Sequence, residues 1–244
     1  MRRRSTTGTA GPAAPGVPRD VEAVEAVVDA LERGVDDETA AHGLITETLV
    51  RELGLDYGAV WLPAGNGSFC LAGEYGPLVG AVAATVAGRV ATMTAADGYG
   101  GEALRTERAV LVDGTSDTAG CARWAGASAA GATAGCFLPL VEDGRVSAVY
   151  EYYDDGALPF VGQRRGKWES LGRLLTHARR SALATTALRQ TLDDRQAVTS
   201  VVTEIGAAGT AEHALRIALD TVRTAFGWAY GSYWALDTSD NLLK

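Results

Sequence analysis

The sequence predicts an α+β fold, in which antiparallel strands pack against helices. Three observations support this prediction. Two amphipathic helical patterns open the chain, a strong hairpin pattern occupies residues 134–153, and a long helical stretch follows the hairpin. With 244 residues and 47% hydrophobic content, the chain can bury a sizeable core in one domain or two.

Composition excludes several classes of protein. A net charge of −8 with three histidines leaves no basic stripe for nucleic acid or an anionic membrane. The cysteines Cys70, Cys121 and Cys136 lack metal-ligand spacing, which indicates reduced thiols in the cytoplasm and no metal site. The most apolar run, Pro77–Gly88, is shorter than the roughly 20 residues that a spanning helix needs. We therefore expect a cytoplasmic protein without a membrane segment.

The opening of the chain predicts a tail, two helices and a hairpin. Residues 1–19 are rich in Pro, Gly and Thr, which is typical of a disordered tail. Apolar residues at spacings of three and four predict helices over Asp20–Gly34 and Asp36–Gly54. Strands are predicted over Tyr57–Leu62 and Ser68–Glu74, separated by a glycine-rich turn.

The middle of the chain has weaker patterns, because glycine and alanine dominate it and glycine-rich helices are weak helices. Such segments depend on packing or on a ligand for their order. The elements predicted there are a helix over Pro77–Ala87, a strand over Arg89–Thr94, a loop over Asp97–Gly101, a helix over Glu102–Thr106, a strand over Ala109–Val112 and a helix over Ala119–Gly131.

The hairpin over Ala134–Tyr153 is the strongest local pattern, because two apolar runs flank an Asp143-Gly144 turn. Its second strand is predicted to have one face for helix packing and a mixed face that suits a small cavity. A period of two assigns Val146, Ala148, Tyr150 and Tyr152 to the first face and Ser147, Val149, Glu151 and Tyr153 to the second.

A long helix is predicted from about Arg164 to Ala208, and its polar part, residues 183–197, is interpreted as a helical linker or dimer seam. Residues 198–236 repeat residues 24–62 at an offset of about 173. The repeat predicts another strand at Tyr230–Trp234, which matches Tyr57–Trp61. We expect residues 198–244 to be the incomplete start of a second domain, so that the chain is the front piece of a longer protein or a truncated reading frame.

These features together resemble a GAF domain. The resemblance rests on the two helices, the Tyr-Gly-x-x-Trp strand at Tyr57–Trp61, the Gly-x-Gly-Gly-Glu-Ala segment at Gly98–Ala103, the Cys-x-Arg segment at Cys121–Arg123 and the hairpin with its Cys-Phe-Leu-Pro-Leu run. It covers residues 20–182 as a whole domain and 198–244 as the opening of another. The arrangement is similar to tandem GAF domains that precede chemoreceptor-like or histidine-kinase-like outputs.

The resemblance implies a six-stranded antiparallel sheet with helices on one face and a ligand pocket on the other. It also implies a homodimer formed through the long terminal helices. The activity that it implies is non-catalytic sensing, in which a small molecule binds and helix geometry changes toward a downstream signalling domain. The sequence identifies neither the ligand nor a cofactor.

The candidate ligand-binding residues come from the segments expected around that pocket. Cys121, Arg123 and Trp124 lie in the covering segment, where Arg123 could hold an anion and Trp124 could stack a ring. Glu151 could accept a hydrogen bond from an amine or amide. Each also has a purely structural interpretation as a core, surface or turn residue. The full set is Tyr99, Glu102, Cys121, Arg123, Trp124, Ser147, Val149 and Glu151.

Several alternative functions compete with sensing. The domain could be degenerate and serve only dimerisation. It could be a thiol enzyme that resembles free methionine sulfoxide reductase through Cys121, although Gly98–Glu102 contains no resolving cysteine. A bilin photosensor would resemble Cys-His at this position, whereas Ala122 follows Cys121 here. His42 and His177 are expected on the opposite face, which disfavours haem or a metal.

Overall fold

A computed structural model describes residues 19–86, 92–239 and 241–243. The described chain has an α+β fold, as predicted. Its helices and strands are α1 (Asp20–Glu32), α2 (Glu38–Leu53), β1 (Tyr57–Gly65), β2 (Ser68–Tyr75), α3 (Val79–Thr85), β3 (Thr92–Met93), α4 (Gly98–Thr106), β4 (Val110–Asp113), α5 (Ala122–Ala129), β5 (Ala134–Glu142), β6 (Arg145–Asp154), α6 (Arg165–Ala207), α7 (Ala211–Ala225), β7 (Leu236–Asp237) and β8 (Leu242–Leu243).

The main sheet has six antiparallel strands in the order β3-β2-β1-β6-β5-β4. Two hairpins, β1–β2 and β5–β6, meet along the β1–β6 pair at the centre. In that pair Tyr57 lies opposite Tyr153 and Trp61 lies opposite Val149. The predicted six-stranded antiparallel sheet is therefore confirmed.

Helices α1, α2 and the first part of α6 cover one face of the sheet. The ring of Trp168 on α6 packs edge-on against Phe160, which in turn contacts Tyr152 of β6 at 4.8 Å between ring centroids. The buried Asp20 at the start of α1 forms ion pairs with Arg164 and Lys167. These contacts join the first helix of the domain to its last.

The opposite face is covered by the short helices α3, α4 and α5 and has its own aromatic core. Helix α5 approaches α3 so closely that a Cβ atom on Gly126 would lie 2.6 Å from the Thr85 hydroxyl. The large side chains buried in this core are Tyr57, Trp61, Phe69, Trp124, Phe137 and Tyr153.

The loop predicted over Asp97–Gly101 is wrong, since Gly98 starts helix α4. Its glycines serve close packing. A Cβ atom on Gly100 would lie 2.5 Å from the Met93 sulfur, and one on Gly101 would collide with the Thr94 carbonyl oxygen. Glycine lowers helix propensity, which is why the pattern favoured a loop, but here it lets the helix approach the sheet.

The two faces assigned to β6 are correct only beyond a β-bulge. Leu140 pairs with Ala148 but Val141 pairs with Val146, so Ser147 is an extra residue on β6. An extra residue inverts the alternation of side chains toward the start of the strand. Ser147 therefore lies on the helix-covered face, and Val146 packs against the aromatic core, opposite to the prediction for both residues.

The remaining residues form a second compact unit made of Gly34–Asp37 and Arg180 onward. Within it α6 continues to Ala207 and α7 begins at a Thr210 cap. The strand predicted over Tyr230–Trp234 is wrong, because these residues are irregular and exposed, and no described strand lies beside them. Strands β7 and β8 form a small hairpin instead. Among the described helices, none has a stretch long and apolar enough to cross a membrane.

Two sequence-based predictions concern residues that the structure does not describe. The tail predicted over residues 1–19 lies outside the described residues except for Arg19. The strand predicted over Arg89–Thr94 is described only as the short strand β3, since residues 87–91 lie outside the described part of the chain. The boundaries of the predicted domains and linker remain predictions.

Candidate functional site

An ion pair between Arg123 and Glu151 lies at the centre of the face covered by the short helices. Arg123 is the second residue of α5, and Glu151 projects from β6. The Arg123 Nε group donates to both Glu151 carboxylate oxygens at 3.0 Å. The two side chains are 11% and 0% exposed. The pair is therefore buried, in contrast to a surface salt bridge of small energetic value.

A second carboxylate binds the other arm of the same guanidinium. Arg123 Nη2 donates to Glu74 Oε1 at 2.7 Å and also to the hydroxyl of Tyr57. The Tyr57 hydroxyl donates in turn to Glu74 Oε1. One guanidinium thus pairs with two glutamates that lie on different strands.

Strand register explains why one arginine reaches both glutamates. Ala59 of β1 pairs with Glu74 on one side and with Glu151 on the other. Neighbouring strands lie about 4.8 Å apart, so the two glutamates flank a small, fully buried alanine. The space above Ala59 accommodates the Arg123 guanidinium.

Aromatic rings complete the surroundings of the guanidinium. Its central carbon lies 4.9 Å from the ring centroid of Trp61 and 5.7 Å from that of Tyr57, within the range of cation–π attraction. The Trp61 indole Nε1 donates to Glu151 Oε2 at 2.8 Å, which fixes the carboxylate in place. We call Tyr57, Trp61, Glu74 and Glu151 the sheet cage, because all four belong to strands.

Charge and burial shift the ionisation of the groups in and around the cage. Burial opposes the charge on Arg123, but the charge of Glu151, the contact with Tyr57 and the hydrogen bond to Glu74 together outweigh it and raise the pKa of Arg123 above its ordinary value. Burial, followed by the Glu151 charge, raises the pKa of Tyr57. Arg123 is therefore a permanent cation in this site, and Tyr57 remains a neutral donor.

One polar atom in the core around the cage is not satisfied. The Trp124 indole Nε1 is buried and makes no hydrogen bond within the described chain. Burial and the nearby Glu151 charge raise the pKa of Tyr153. The Tyr153 ring stacks on Tyr57 at 5.2 Å and contacts Trp124 at 5.6 Å between centroids. Unsatisfied buried donors are uncommon in folded proteins, so Trp124 Nε1 requires an explanation.

The structure brings together five of the predicted site residues. They lie in or against the aromatic core and are Cys121, which precedes α5, Arg123, Trp124, Val149 and Glu151. Val149 contributes only apolar packing.

The other predicted site residues lie outside the cage. The Tyr99 hydroxyl donates to the Asp117 carbonyl oxygen, and its ring contacts Phe137 at 6.2 Å. Glu102 is exposed on α4. The Ser147 hydroxyl donates to Glu142 on the helix-covered face. Ser147 lies on the helix-covered face because of the β-bulge. Glu102 is exposed because helix α4 begins at Gly98, which places Glu102 on the outer side of that helix.

Three cage residues, Tyr57, Trp61 and Glu74, were not among the predicted site residues. The Tyr-Gly-x-x-Trp pattern contains two of them and carries two polar aromatic groups on one strand face, which is the signal that could have found them. Glu74 offered no such signal, since its position beside Ala59 depends on pairing between strands.

A group of three aspartates lies at one end of the β1–β6 pair. The carboxylates of Asp56, Asp154 and Asp155 lie within 4.8 Å of one another. Asp56 accepts a hydrogen bond from the Asp155 backbone, and Asp154 accepts one from the Gly156 backbone. Burial raises the pKa of Asp154. These bonds give the carboxylates a structural role in closing the chain after β6.

Solved structures with the same fold include both sensors and enzymes. A putative GAF sensor protein from Burkholderia vietnamiensis is 17% identical, with a TM-score of 0.51 over 68% of this chain and 96% of that chain. The GAF domain of a phosphoenolpyruvate-protein phosphotransferase from Acinetobacter is 12% identical, with a TM-score of 0.50 over 70% and 98%.

Free methionine-R-sulfoxide reductase from Neisseria meningitidis, solved with its substrate, is 15% identical, with a TM-score of 0.51 over 70% of this chain and 91% of that chain. No protein-family model and no curated protein matches the sequence. The chain has a GAF-like fold. At these identities the likeness establishes the fold, and it does not distinguish a sensor from a reductase.

Proposed function

We propose that the GAF-like unit is a non-catalytic sensory or regulatory module of the cytoplasm. It binds a small molecule at the sheet cage and relays the change through α6 to a downstream signalling output. The observation that carries the proposal is the buried Arg123–Glu151 pair, a polar site in an otherwise apolar core, held from above by a short helix. Buried charged groups with perturbed ionisation are concentrated at functional sites.

A connected set of polar contacts supports the relay. Glu151 contacts Arg123 on one face of β6, and its neighbour Tyr150 hydrogen-bonds His42 Nδ1 at 2.7 Å on the other. Burial, and then the positive charge of Arg179, lowers the pKa of His42 to about 4, so His42 is neutral near pH 7. Movement of β6 at the cage would therefore displace Tyr150 and change its contact with His42 on the helix-covered face.

Arg179 connects this network to the long helix. It lies on α6, is buried, and pairs with Glu38 of α2 and with Glu142 of β5 at 2.7 Å. A rearrangement of the hairpin that displaced Glu142 would remove one of the two carboxylates described as paired with Arg179. The contacts provide a continuous physical route, and hydrogen exchange along α6 on ligand addition tests it.

The positions of the cysteines favour this proposal over a thiol enzyme. Cys121 lies on the cage face, whereas Cys136 pairs with Tyr152 on the helix-covered side of β5. Burial raises the pKa of Cys136, which suppresses its nucleophilic thiolate. Disulfide exchange needs Cα atoms within about 7 Å and side chains that face each other. We expect no consumption of free methionine sulfoxide with a thiol reductant; turnover abolished by Cys121→Ser would refute a non-catalytic role.

We also propose that the module is a homodimer formed through the terminal helices. The second half of α6 carries an exposed apolar series, and Leu188 and Val202 are 60% and 65% exposed. The series is Leu188, Leu192, Val198, Val202 and Ile205. Light scattering should give a dimer for the native chain and a monomer for Leu188→Glu/Leu192→Glu, whereas Arg189→Glu on the same helix should remain dimeric.

Native and denaturing mass spectrometry on the same preparation tests ligand binding. Mass present only under native conditions would identify the sensed ligand. Mass that survives denaturation and maps to Cys121 would indicate a covalent group, and bare protein in a dimer would favour the dimerisation-only alternative. With a ligand in hand, Glu151→Gln and Arg123→Gln should each change ligand-induced thermal stabilisation, and Arg164→Gln, which alters an ion pair on the other face, should not.

A further inference from the structure

We propose that the sheet cage is a receptor for a small organic monocation of the guanidinium or alkylammonium class, and that Arg123 occupies it as an internal ligand. This inference rests on the proposed sensory function, since it names the ligand class of the same site. It differs from the sequence-based interpretation, in which Arg123 held an anion.

Charge balance argues against an anionic ligand. Glu74 and Glu151 bring two negative charges to the cage, and Arg123 supplies one positive charge. Both the Nε and the Nη2 groups of Arg123 already donate to these carboxylates. An added anion would lie beside two fixed carboxylates and would increase the excess of negative charge. A cation would balance that charge.

The cage is built without the covering helix. Trp61 fixes Glu151 through its indole donor, and Tyr57 fixes Glu74 through its hydroxyl, so each carboxylate is oriented by a neighbouring strand residue. The faces of Trp61 and Tyr57 supply cation–π attraction. Carboxylates and aromatic faces in this arrangement remain in place when Arg123 is absent, which is the property of a preorganised cation site.

Helix α5 is suited to release Arg123. It contains eight residues, among them a glycine and several alanines, and its first turn has no side-chain cap. Short helices of this kind depend on tertiary contacts for their order. The intramolecular guanidinium has a high effective concentration, so a competing ligand needs contacts that Arg123 does not make.

An unsatisfied donor beside the cage offers such a contact. Trp124 Nε1 is fully buried without a partner in the described chain, and its ring contacts Tyr153, which stacks on Tyr57 of the cage. A ligand with a cationic end and a carbonyl or hydroxyl acceptor a few atoms away would satisfy a donor that Arg123 leaves unpaired. The ligand class is therefore an organic monocation that carries a hydrogen-bond acceptor.

The experiment uses ethylguanidinium chloride as the probe and Arg123→Gln, which keeps much of the side-chain volume without the charge. Calorimetric titration, at constant ionic strength with NaCl, should show saturable binding to Arg123→Gln at least about tenfold tighter than to the native chain, because the variant has no internal competitor. Adding Glu151→Gln to that variant should abolish the binding. Arg123→Ala serves as a second variant, with circular dichroism as the folding check.

Arg164→Gln is the matched control, since it removes one of the two cations that pair with the buried carboxylate of Asp20 on the helix-covered face. Equal binding to this control, or binding to Arg123→Gln that survives Glu151→Gln, would overturn the proposal. An anionic molecule found by native mass spectrometry and lost in Arg123→Gln would also overturn it while leaving the sensory function intact. Ethylguanidinium binding to the cage without any change in exchange along α6 would support the receptor and refute the relay.

Discussion

Replacing Arg123 with alanine leaves the carboxylate of Glu151, which is 0% exposed, without its cation. Three charge-assisted hydrogen bonds to carboxylates are lost, two to Glu151 and one to Glu74. Removal of one partner from a buried pair costs about 3–5 kcal/mol, most of it the penalty of the remaining buried charge. We expect the free energy of unfolding to fall by about 4 kcal/mol near pH 7, and the melting temperature by about 8–16 °C for a domain of this size.

The destabilisation should depend on pH in a defined direction. Without Arg123, Glu151 is a buried carboxylate beside Glu74 with no cation, and both burial and the neighbouring negative charge disfavour its charged form. Protonation removes the penalty of the buried charge, so the variant should approach the native chain in stability as the pH falls, and the deficit should grow as the pH rises.

Urea unfolding from pH 4 to pH 8 measures both the loss of stability and its dependence on pH, with Arg123→Ala/Glu151→Gln as the companion variant. The double variant contains no buried unpaired carboxylate at position 151, so it should be more stable than Arg123→Ala at pH 7 and should lack most of the pH dependence. A native-like stability of Arg123→Ala at pH 7, or a deficit that is constant with pH, would refute the assignment of a buried, charge-coupled pair.

Three further predictions concern the scaffold. Burial raises the pKa of Asp20, but its two basic partners, Arg164 and Lys167, together lower it below the ordinary value. The stabilisation from the ionised Asp20 carboxylate should therefore be present above about pH 4 and lost as the pH falls further. Asp20→Asn should therefore lower stability by about 1 kcal/mol at pH 7, with a gap that closes in acid unfolding titrations. Gly101→Ala should lower the free energy of unfolding by about 1–3 kcal/mol in thermal unfolding, because the new Cβ atom would collide with the backbone of Thr94. Gly172→Ala should be neutral or stabilising by up to about 1 kcal/mol, because nothing lies within 4 Å of the new Cβ atom. Neutral His42 should protonate in the folded state only near pH 4, as followed by NMR of its ring, and a value near 6.5 would contradict its burial beside Arg179.

Local patterns determined the parts of this fold that depend on neighbours in the sequence. The helices α1 and α2 follow from apolar residues at helical spacing, and the β5–β6 hairpin follows from the Asp143-Gly144 turn. Composition correctly indicated that Gly98–Gly101 is conformationally unusual, but not why. The same glycines suit a loop and a closely packed helix, and only the contact with β3 distinguishes the two.

The resemblance to GAF domains predicted that Arg123 lies in the segment over the site face, and a period of two assigned Glu151 to that face of β6. Only the tertiary structure decided that these residues bind each other. Glu74 lies beside this pair because strand pairing places it opposite Ala59 of β1, which also pairs with Glu151. Ser147 lies on the other face because one extra residue inverts the alternation of side chains at the start of β6. Register and bulges are fixed by pairing between strands that are distant in the sequence, and no local pattern encodes that pairing.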